Sequence, residues 1–299
     1  MAHILATGIA TLDIVNTLDG YPAEDAEVRA RAQRVSRGGN ATNTLVVLSQ
    51  LGQRTSWAGV WVEEPDARHI RADLEHHGVD MRHCRQLESG KVPTSYITLN
   101  ARNGSRTIVH YRDLPEFSAD DFARVDLAAF DWLHFEGRNV LETAAMLEYA
   151  RASAPHLPRS LEVEKPRPGI EALFPLADVL LFSPVYARSR ADGPEALLRA
   201  IHGEHRHADL FCTAGAAGAV ALERNGTLHR SRAFPPARVV DTLAAGDAFN
   251  AAVIDGYLRR FPVDSLLGRA CRVAGLKVGQ EGLRDLPLDA LRAEEAHHG

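Results

Sequence analysis

Features that would assign this chain to a special class of protein are scarce or missing. Three of its 299 residues are cysteine, Cys84, Cys212 and Cys271, so neither a disulfide framework nor a CxxC metal site is expected. No apolar run approaches the roughly 20 residues of a membrane span, and the N-terminus lacks the basic start and cleavage site of a signal peptide. We therefore expect a cytoplasmic protein without a membrane partner.

Charge and motif content argue against further classes. The formal net charge is -5 at pH 7 with no block of Lys or Arg, which gives no electrostatic reason to expect a nucleic-acid partner. The patterns GxxxxGK[ST], GxGxxG, GxSxG and HExxH are absent, so P-loop, dinucleotide, hydrolase and zinc-protease functions lose their best support. The histidines show no metal-ligand spacing, and we predict no metal site built from protein side chains alone.

What is present is an alternation of short apolar runs with helical patterns, which is typical of a parallel sheet flanked by helices. The run "HILATGIATLDIV" predicts a first strand, and "TSWAGVW", "WLHFEG", "SLEVE", "DVLLFS" and "DLFCTAG" predict later ones. Helices are predicted over 40–52, with Asn40 as N-cap and Gly52 as stop, and over 66–77, 140–152 and 192–202. The pattern predicts a doubly wound α/β fold in one domain, residues 1–299.

Two segments break this alternation, and both are predicted to be antiparallel. Residues 10–37 contain a long extended run, and residues 92–112 read as a hairpin with Asn103 and Gly104 at its turn. Together they predict a small sheet that protrudes from the main one. Such a sheet covers a site or meets another subunit; the alternative is a surface decoration without a role.

The stretch "RVVDTLAAGDAFNAAVI", residues 238–254, predicts a strand, a turn of small residues and a helix. Small residues at 242–246 let the backbone approach a ligand, and the helix N-terminus favours an anion such as a phosphoryl group. Asp247 could then accept the proton of an attacking hydroxyl. Asp247 could equally be an ordinary helix cap, and this stretch alone leaves both interpretations open.

A second stretch, "SRGGNATN" at residues 36–43, combines two glycines with two amides. Gly38 and Gly39 allow unusual backbone angles, and Asn40 and Asn43 share one helix face, where they could hold two sugar hydroxyls. The alternative is a turn followed by a cap. Asp13 is placed at the end of the first strand, where α/β sheets bind ligands, although a solvated loop acid is the other interpretation.

Several charged or polar side chains follow apolar runs elsewhere, and each could be a surface ion pair worth under about 1 kcal/mol. These residues are Arg106, Glu136, Arg138, Asn139 and Lys165.

Taken together, "GGNATN" and "DTLAAGD" resemble the two signatures of the ribokinase-like sugar kinases of the phosphofructokinase B type. Longer segments between about residues 5 and 282, such as "HFEGRN", "EVEKPR" and "AFPPARVVDTLAAGDAFNAAVI", resemble the ketohexokinase branch of that family in order along the chain. The resemblance implies a ribokinase-like fold with a protruding lid, the β-clasp, and phosphorylation of the 1-hydroxyl of fructose by ATP with Mg²⁺.

The resemblance also implies roles for individual residues. Asp247 would be the general base, and the amides of Ala244, Ala245 and Gly246 would form the anion hole. The sugar would be held by Asp13, Gly39, Asn40 and Asn43, with Arg106 closing over it. Asp25 would reach the sugar of the neighbouring subunit, which implies a homodimer formed through the clasp.

The nucleotide would lie along the turn after "FCTAGAAG", at Gly215 and Gly218, and against the helix that carries Cys271 and Ala274. Lys165 and Glu136 would lie near the phosphates or their metal. All of this requires that Gly39 and Asp247, 208 positions apart, each begin a helix at one cleft.

The chain departs from the family pattern at two places. Ala244 stands where the family usually has glycine, and a positive φ there would add about 1–2 kcal/mol of strain. The NxxE motif is missing, with "SPVY" at 183–186 instead. Two alternatives therefore remain: a kinase of another ketose or related sugar, and a sugar- or nucleotide-binding regulatory protein without catalysis.

Overall fold

The computed structural model describes residues 1–289 and residue 291. In chain order its strands are β1 (His3–Thr7), β2 (Thr11–Leu18), β3 (Ala32–Gly38), β4 (Arg54–Ala58), β5 (Val60–Val62), β6 (Val79–Asp80), β7 (Arg85–Leu87), β8 (Thr94–Asn100), β9 (Arg106–Tyr111), β10 (Trp132–Glu136), β11 (Arg159–Val163), β12 (Val179–Phe182), β13 (Asp209–Thr213), β14 (Ala219–Leu222) and β15 (Leu228–Ser231). Its α-helices are α1 (Asn40–Gln50), α2 (Ala67–His76), α3 (Ala119–Phe122), α4 (Val140–Ser153), α5 (Pro184–Arg190), α6 (Pro194–Glu204), α7 (Ala245–Leu258) and α8 (Val263–Val278).

The main sheet has nine strands in the order β15-β14-β13-β12-β11-β10-β1-β4-β6. The strands from β13 to β6 in this order run parallel, and β14 and β15 add an antiparallel edge. This order confirms the prediction of a mostly parallel α/β sheet. No helix in the described part of the chain has the length and apolar character needed to cross a bilayer.

Side chains from the central strands are buried on both faces of this sheet. In β1, Ile4 and Ala6 pack into the core that contains α1, α7 and α8, whereas Leu5 packs into the opposite core with α4 and α6. This alternation follows from the two-residue period of a strand. Burial on both faces explains why apolar residues predominate in β1, β10 and β12.

The prediction that "HILATGIATLDIV" forms one strand is wrong. The run forms β1 in the main sheet and β2 in a second sheet, with residues 8–10 passing between them. "TSWAGVW" is divided in the same way, into β4 and β5. Both runs are rich in apolar residues, and a local pattern of that kind carries no signal for a change of sheet.

The second sheet, which we call the lid, has the strand order β3-β2-β8-β9 and consists of the two segments predicted to protrude. Its outer pairs are antiparallel, and Gly104 has a φ of +71° in the turn between β8 and β9. The central pair, β2 with β8, is parallel, so the expectation of a fully antiparallel lid is wrong. The long connection between these strands through α1 and α2 permits the parallel pairing.

Two predictions about helix starts also need correction. Gly39, not Asn40, is the N-cap of α1, with a φ of +101°, and a Cβ there would lie 2.2 Å from the carbonyl oxygen of Ile9. Only glycine fits that position. The strand expected before Asp247 is absent, and residues 232–244 form neither helix nor strand. The backbone N–H groups of Val240 and Asp241 instead donate to the carbonyl of Val278, at 2.9 and 3.2 Å.

Candidate active site

The first turn of α7 combines an exposed backbone at Gly246 with a buried carboxylate, that of Asp247. Ala244 is the N-cap, with a φ of +60°, Ala245 begins the helix and Gly246 is exposed. The first N–H groups of a helix lack partners within it and attract an anion. Asp247 lies in this first turn with its side chain buried. The structure thus contains the positive φ that makes Ala244 strained.

Asp247 is held by a side chain from α1. The Nδ2 of Asn43 donates to Oδ2 of Asp247 at 2.7 Å, and Oγ1 of Thr44 lies 3.5 Å from the Asp247 carbonyl oxygen. The helices α1 and α7 therefore meet at this point, although the two residues are 204 positions apart. This contact satisfies the requirement that the two remote stretches converge.

The surroundings of Asp247 favour its protonated form. Burial raises the pKa of Asp247 to about 7, and the nearby carboxylates of Glu164 and Glu136 act in the same direction. The hydrogen bond from Asn43 and the charge of Arg37 oppose this shift in the pKa. A carboxyl group with a pKa near neutrality is suited to accept and release a proton.

Two further carboxylates lie at the carboxyl ends of β10 and β11. Glu136 and Glu162 are opposite each other in the register of β10 and β11. Burial raises the pKa of both carboxyl groups, and the negative charge of Asp247 raises that of Glu162 further. The Nδ2 of Asn40 donates to Oε1 of Glu162 at 3.1 Å, and Oε2 of Glu162 has no hydrogen-bond partner among the described residues. Glu136 accepts from the backbone N–H of Ile9 at 3.1 Å.

Asp13 enters the site from the lid. It lies in β2, so the prediction that it ends the first strand is wrong, although it does line the same cleft as Asn43. The hydroxyl of Thr11 donates to Oδ1 of Asp13 at 2.9 Å, and burial raises the pKa of this carboxyl group. A Cβ on Gly38 would lie 2.2 Å from Oδ2 of Asp13, so the backbone approaches this carboxylate closely.

The lid also contacts the loop that precedes α7. Arg106 Nη1 donates to Oγ1 of Thr242 at 3.3 Å, and Arg34 Nη1 donates to Oδ2 of Asp241 at 3.2 Å. Between lid, α1 and this loop is a cleft of about 250 Å³ whose lining includes Asp13, Asn43 and Ala244. A carboxylate, an amide and a helix N-terminus around one cleft can bind a polyol beside an anion.

Residues 1–290 match the family model described as pfkB family carbohydrate kinase. The chain belongs to this family. It is 41% identical over 289 residues to the ketohexokinase of Mus musculus, covering 94% of this chain and 97% of the mouse protein. The family of the kinase is therefore the one that the two motifs predict.

Solved structures agree on the fold. The ribokinase of Arabidopsis thaliana, complexed with ribose and ATP, matches with a TM-score of 0.79 at 20% identity, covering 96% of both chains. A nucleoside kinase of Burkholderia thailandensis, in complex with inosine, matches with a TM-score of 0.80 at 18% identity, covering 100% of this chain and 99% of the other. The ribokinase-like fold of the kinase is thereby confirmed.

The residues predicted for the nucleotide meet at the β14–β15 edge. A Cβ on Gly218 would lie 2.0 Å from the carbonyl oxygen of Ser231, so only glycine allows the turn that begins at Gly215. In α8, burial raises the pKa of the Cys271 thiol and the nearby Ser231 side chain opposes this rise, and Ala274 lies on the same helix. The turn and the helix thus flank one surface of the kinase.

Other predicted residues do not line the cleft between the lid, α1 and the loop before α7. Lys165 is exposed and forms an ion pair with Glu164 at 3.5 Å, and Asp25 is exposed in the loop between β2 and β3 with a φ of +61°. Arg138 Nε donates to Oε1 of Glu116 at 3.0 Å, and Asn139 is the N-cap of α4. At residues 183–186, where the chain has "SPVY" in place of the NxxE motif, Ser183 is the N-cap of α5.

Sequence reasoning missed two residues, Glu162 and Arg37, that contact the predicted amides. The signal for Glu162 was available, since "EVE" puts two acids at the end of a buried strand. Arg37 had no such signal, because an arginine beside "GGN" is unremarkable in sequence.

Within residues 1–289 and 291, no group of three or more His, Cys, Asp or Glu side chains is arranged to hold a metal. Mg²⁺ in phosphoryl-transfer sites uses one or two carboxylates together with the phosphates and water. Glu162 fits such a role, because its Oε2 is buried without a partner among these residues and a cation would favour its ionised form.

Proposed function

We propose that the kinase transfers the γ-phosphoryl group of ATP to the 1-hydroxyl of fructose, with Asp247 as the general base. The observation that carries this proposal is the position of Asp247, buried in the first turn of α7 and hydrogen-bonded to Asn43, which lines the cleft. The 41% identity to mouse ketohexokinase supports fructose as the acceptor.

In the proposed step the 1-hydroxyl oxygen bonds to the γ-phosphorus while the bond from that phosphorus to the β–γ bridging oxygen breaks. The hydroxyl proton passes to Asp247, and the electron pair of the broken bond leaves on ADP. Backbone amides of Ala244, Ala245 and Gly246 would donate to the phosphoryl oxygens as charge spreads over them. Because the pKa of Asp247 lies near 7, proton transfer in either direction is accessible at neutral pH.

The sugar would be bound between the lid and α1. Asp13, Asn40 and Asn43 offer oxygen and N–H groups to its hydroxyls, the backbone at Gly39 allows close approach, and Arg106 would close over it. Support comes from the cleft that Asp13 and Asn43 line, and from the contact of Arg106 with Thr242.

The adenine nucleotide would lie along Gly215 and Gly218 and against Cys271 and Ala274, with its phosphates directed toward α7. Lys165 and Glu136 would lie near those phosphates. Glu162 would hold Mg²⁺ together with the phosphate oxygens, and the ion would neutralise charge that develops on the β–γ bridge.

We also propose a homodimer formed through the lid, because a row of partly exposed apolar side chains crosses the lid. Asp13, which lines the cleft, pairs with Ser95, and Ser95 pairs with His110. The neighbouring row consists of Val35, Ile14, Tyr96 and Val109, of which Val35, Tyr96 and Val109 are 42%, 47% and 62% exposed. Exposed apolar side chains adjacent to one another on a sheet favour a protein partner, and a second copy of the chain would bring Asp25 to the neighbouring sugar.

Sedimentation equilibrium tests the dimer. Val109→Asp places a charge in the apolar row and should convert the protein to monomer, whereas Leu141→Asp, a control on α4 that is 82% exposed, should leave its mass unchanged. A wild-type monomer at assay concentrations would contradict the proposal.

We further propose that residues 1–299 form one kinase domain and that the protein is cytoplasmic. The three free thiols support the cytoplasmic location.

The activity is tested by incubating the protein with Mg-ATP and a panel of ketoses and aldoses, measuring ADP and locating the phosphate by NMR. Fructose-dependent ADP with phosphate on carbon 1 supports the proposal. ADP with another sugar alone would assign a related kinase, and binding without ADP would indicate a regulatory protein. Asp247→Asn should bind sugar but release no ADP; substantial residual turnover would mean that another group is the base.

A further inference from the structure

Arg37 is a buried arginine beside the candidate site, where it contacts Asn43, one of the proposed sugar-binding residues. It lies at the end of β3, where the lid joins α1, and its side chain is 2% exposed. Its Nε donates to Oδ2 of Asp73 in α2 at 2.6 Å. Its Nη1 donates to Oγ1 of Thr42 at 3.0 Å and to Oδ1 of Asn43 at 2.7 Å.

These contacts form a continuous chain of hydrogen bonds from α2 to the candidate base. Asp73 accepts from Arg37, Arg37 donates to Asn43, and Asn43 donates to Asp247. The direction of the chain is fixed by its first donor, because a guanidinium group has no acceptor. An Asn43 amide turned by 180° would direct its NH₂ group at Arg37 and its oxygen at the Asp247 carboxylate, and both contacts would be repulsive.

We propose that Arg37 is a positioning residue that fixes the orientation of the Asn43 amide and thereby presents its NH₂ group to the Asp247 carboxylate. This inference rests on the proposed role of Asp247 as the base. The ion pair with Asp73 holds the guanidinium plane, and the bond to Thr42 anchors it to the start of α1. Arg37 thus links strand β3 of the lid to the reacting carboxylate through Asn43.

The charged groups that face Asp247 come from several elements, and their effects have opposite signs. Three carboxylates disfavour its ionised form, and two cations favour it: Glu136 of β10, Glu162 of β11, Glu164 after β11, Arg37 of β3 and Lys277 of α8. Removing Arg37 would subtract a cation and also release the Asn43 amide. Both changes favour the protonated form of Asp247.

The test is the pH profile of kcat/KM for the full chain with Mg-ATP and its sugar. The acid limb of this profile is the fall in kcat/KM as the pH is lowered and Asp247 becomes protonated. In Arg37→Met this limb should move to higher pH by about one unit, the lower end of the shift that a nearby opposite charge produces. Arg37→Lys keeps the charge but cannot hold Asp73 and Asn43 at once, and its limb should lie between those of wild type and Arg37→Met. The matched control is Arg159→Met, which removes a buried ion pair with Asp178 at the far end of β11.

Arg159→Met should lower the denaturation midpoint and leave the limb in place. The proposal is overturned if the limbs of Arg37→Met and Arg37→Lys coincide with that of wild type, whatever their rates. If Arg37→Met does not fold, Arg37→Lys decides the question, since an unshifted limb there overturns the proposal as well. A wild type without an acid limb, or an active Asp247→Asn, would instead overturn the assignment of the base.

Discussion

Asp247→Asn should stabilise the folded protein while it abolishes turnover. The buried carboxyl group has its pKa raised from 3.8 to about 7, a difference of about 3 units, and each unit corresponds to about 1.4 kcal/mol. The ionised carboxylate therefore destabilises the fold by up to about 4 kcal/mol at high pH. Asparagine removes the charge and can still accept the hydrogen bond from Asn43.

The sign of the pH dependence follows from linkage. Because the folded pKa of Asp247 lies above the unfolded value, the penalty is absent below about pH 4, grows between pH 4 and 7 and is complete above pH 7. We expect urea denaturation to give Asp247→Asn an advantage of about 2–4 kcal/mol at pH 8 and almost none at pH 4.

The control for this prediction is Asp209→Asn. Asp209 is also buried, but hydrogen bonds from Arg224 and Tyr257 outweigh burial and lower its pKa, so its loss should destabilise the protein at pH 8. An Asp247→Asn variant that is less stable than wild type at pH 8 would refute the reasoning. That result would show that the contacts of the ionised Asp247 carboxylate stabilise the fold by more than its burial destabilises it.

Three further predictions concern the same site. The kcat/KM of wild type should fall about tenfold per pH unit below about pH 7, as Asp247 becomes protonated, and a flat profile from pH 5 to 8 would contradict this. Ala244→Gly, measured by urea denaturation, should relieve the positive φ and stabilise the protein by about 1 kcal/mol. Mixing inactive Asp25→Ala and Asp247→Asn subunits should restore about a quarter of wild-type activity if Asp25 acts across a dimer; no recovery would place Asp25 outside the neighbouring site.

Much of the fold could be predicted because its signals are local. Apolar runs gave the strands of the parallel sheet, and helices predicted over 66–77, 140–152 and 192–202 correspond to α2, α4 and α6. The errors occur where the chain changes its sheet or pairing partner. Asp13 was assigned to the wrong strand, and the parallel pairing of β2 with β8 was missed, because neither has a signature within its own segment.

The site shows the same division. Asn43 and Asp247 were singled out from their motifs, and the structure brings them into contact. The strand expected before Asp247 was wrong, since the two valines there belong to a loop anchored to the end of α8. Residue types near a helix start can be read from sequence, whereas the partners that orient them come from distant segments.

The sequence by itself determined the family, the helix that follows "GGN" and the carboxylate in the first turn of α7, because each depends on residues adjacent along the chain. Only the tertiary structure decided that Glu136, Glu162 and Asp247 share one buried region, and that this raises the pKa of each. The physical reason is that burial and Coulomb energies depend on distances in space, and folding sets those distances between residues far apart in sequence.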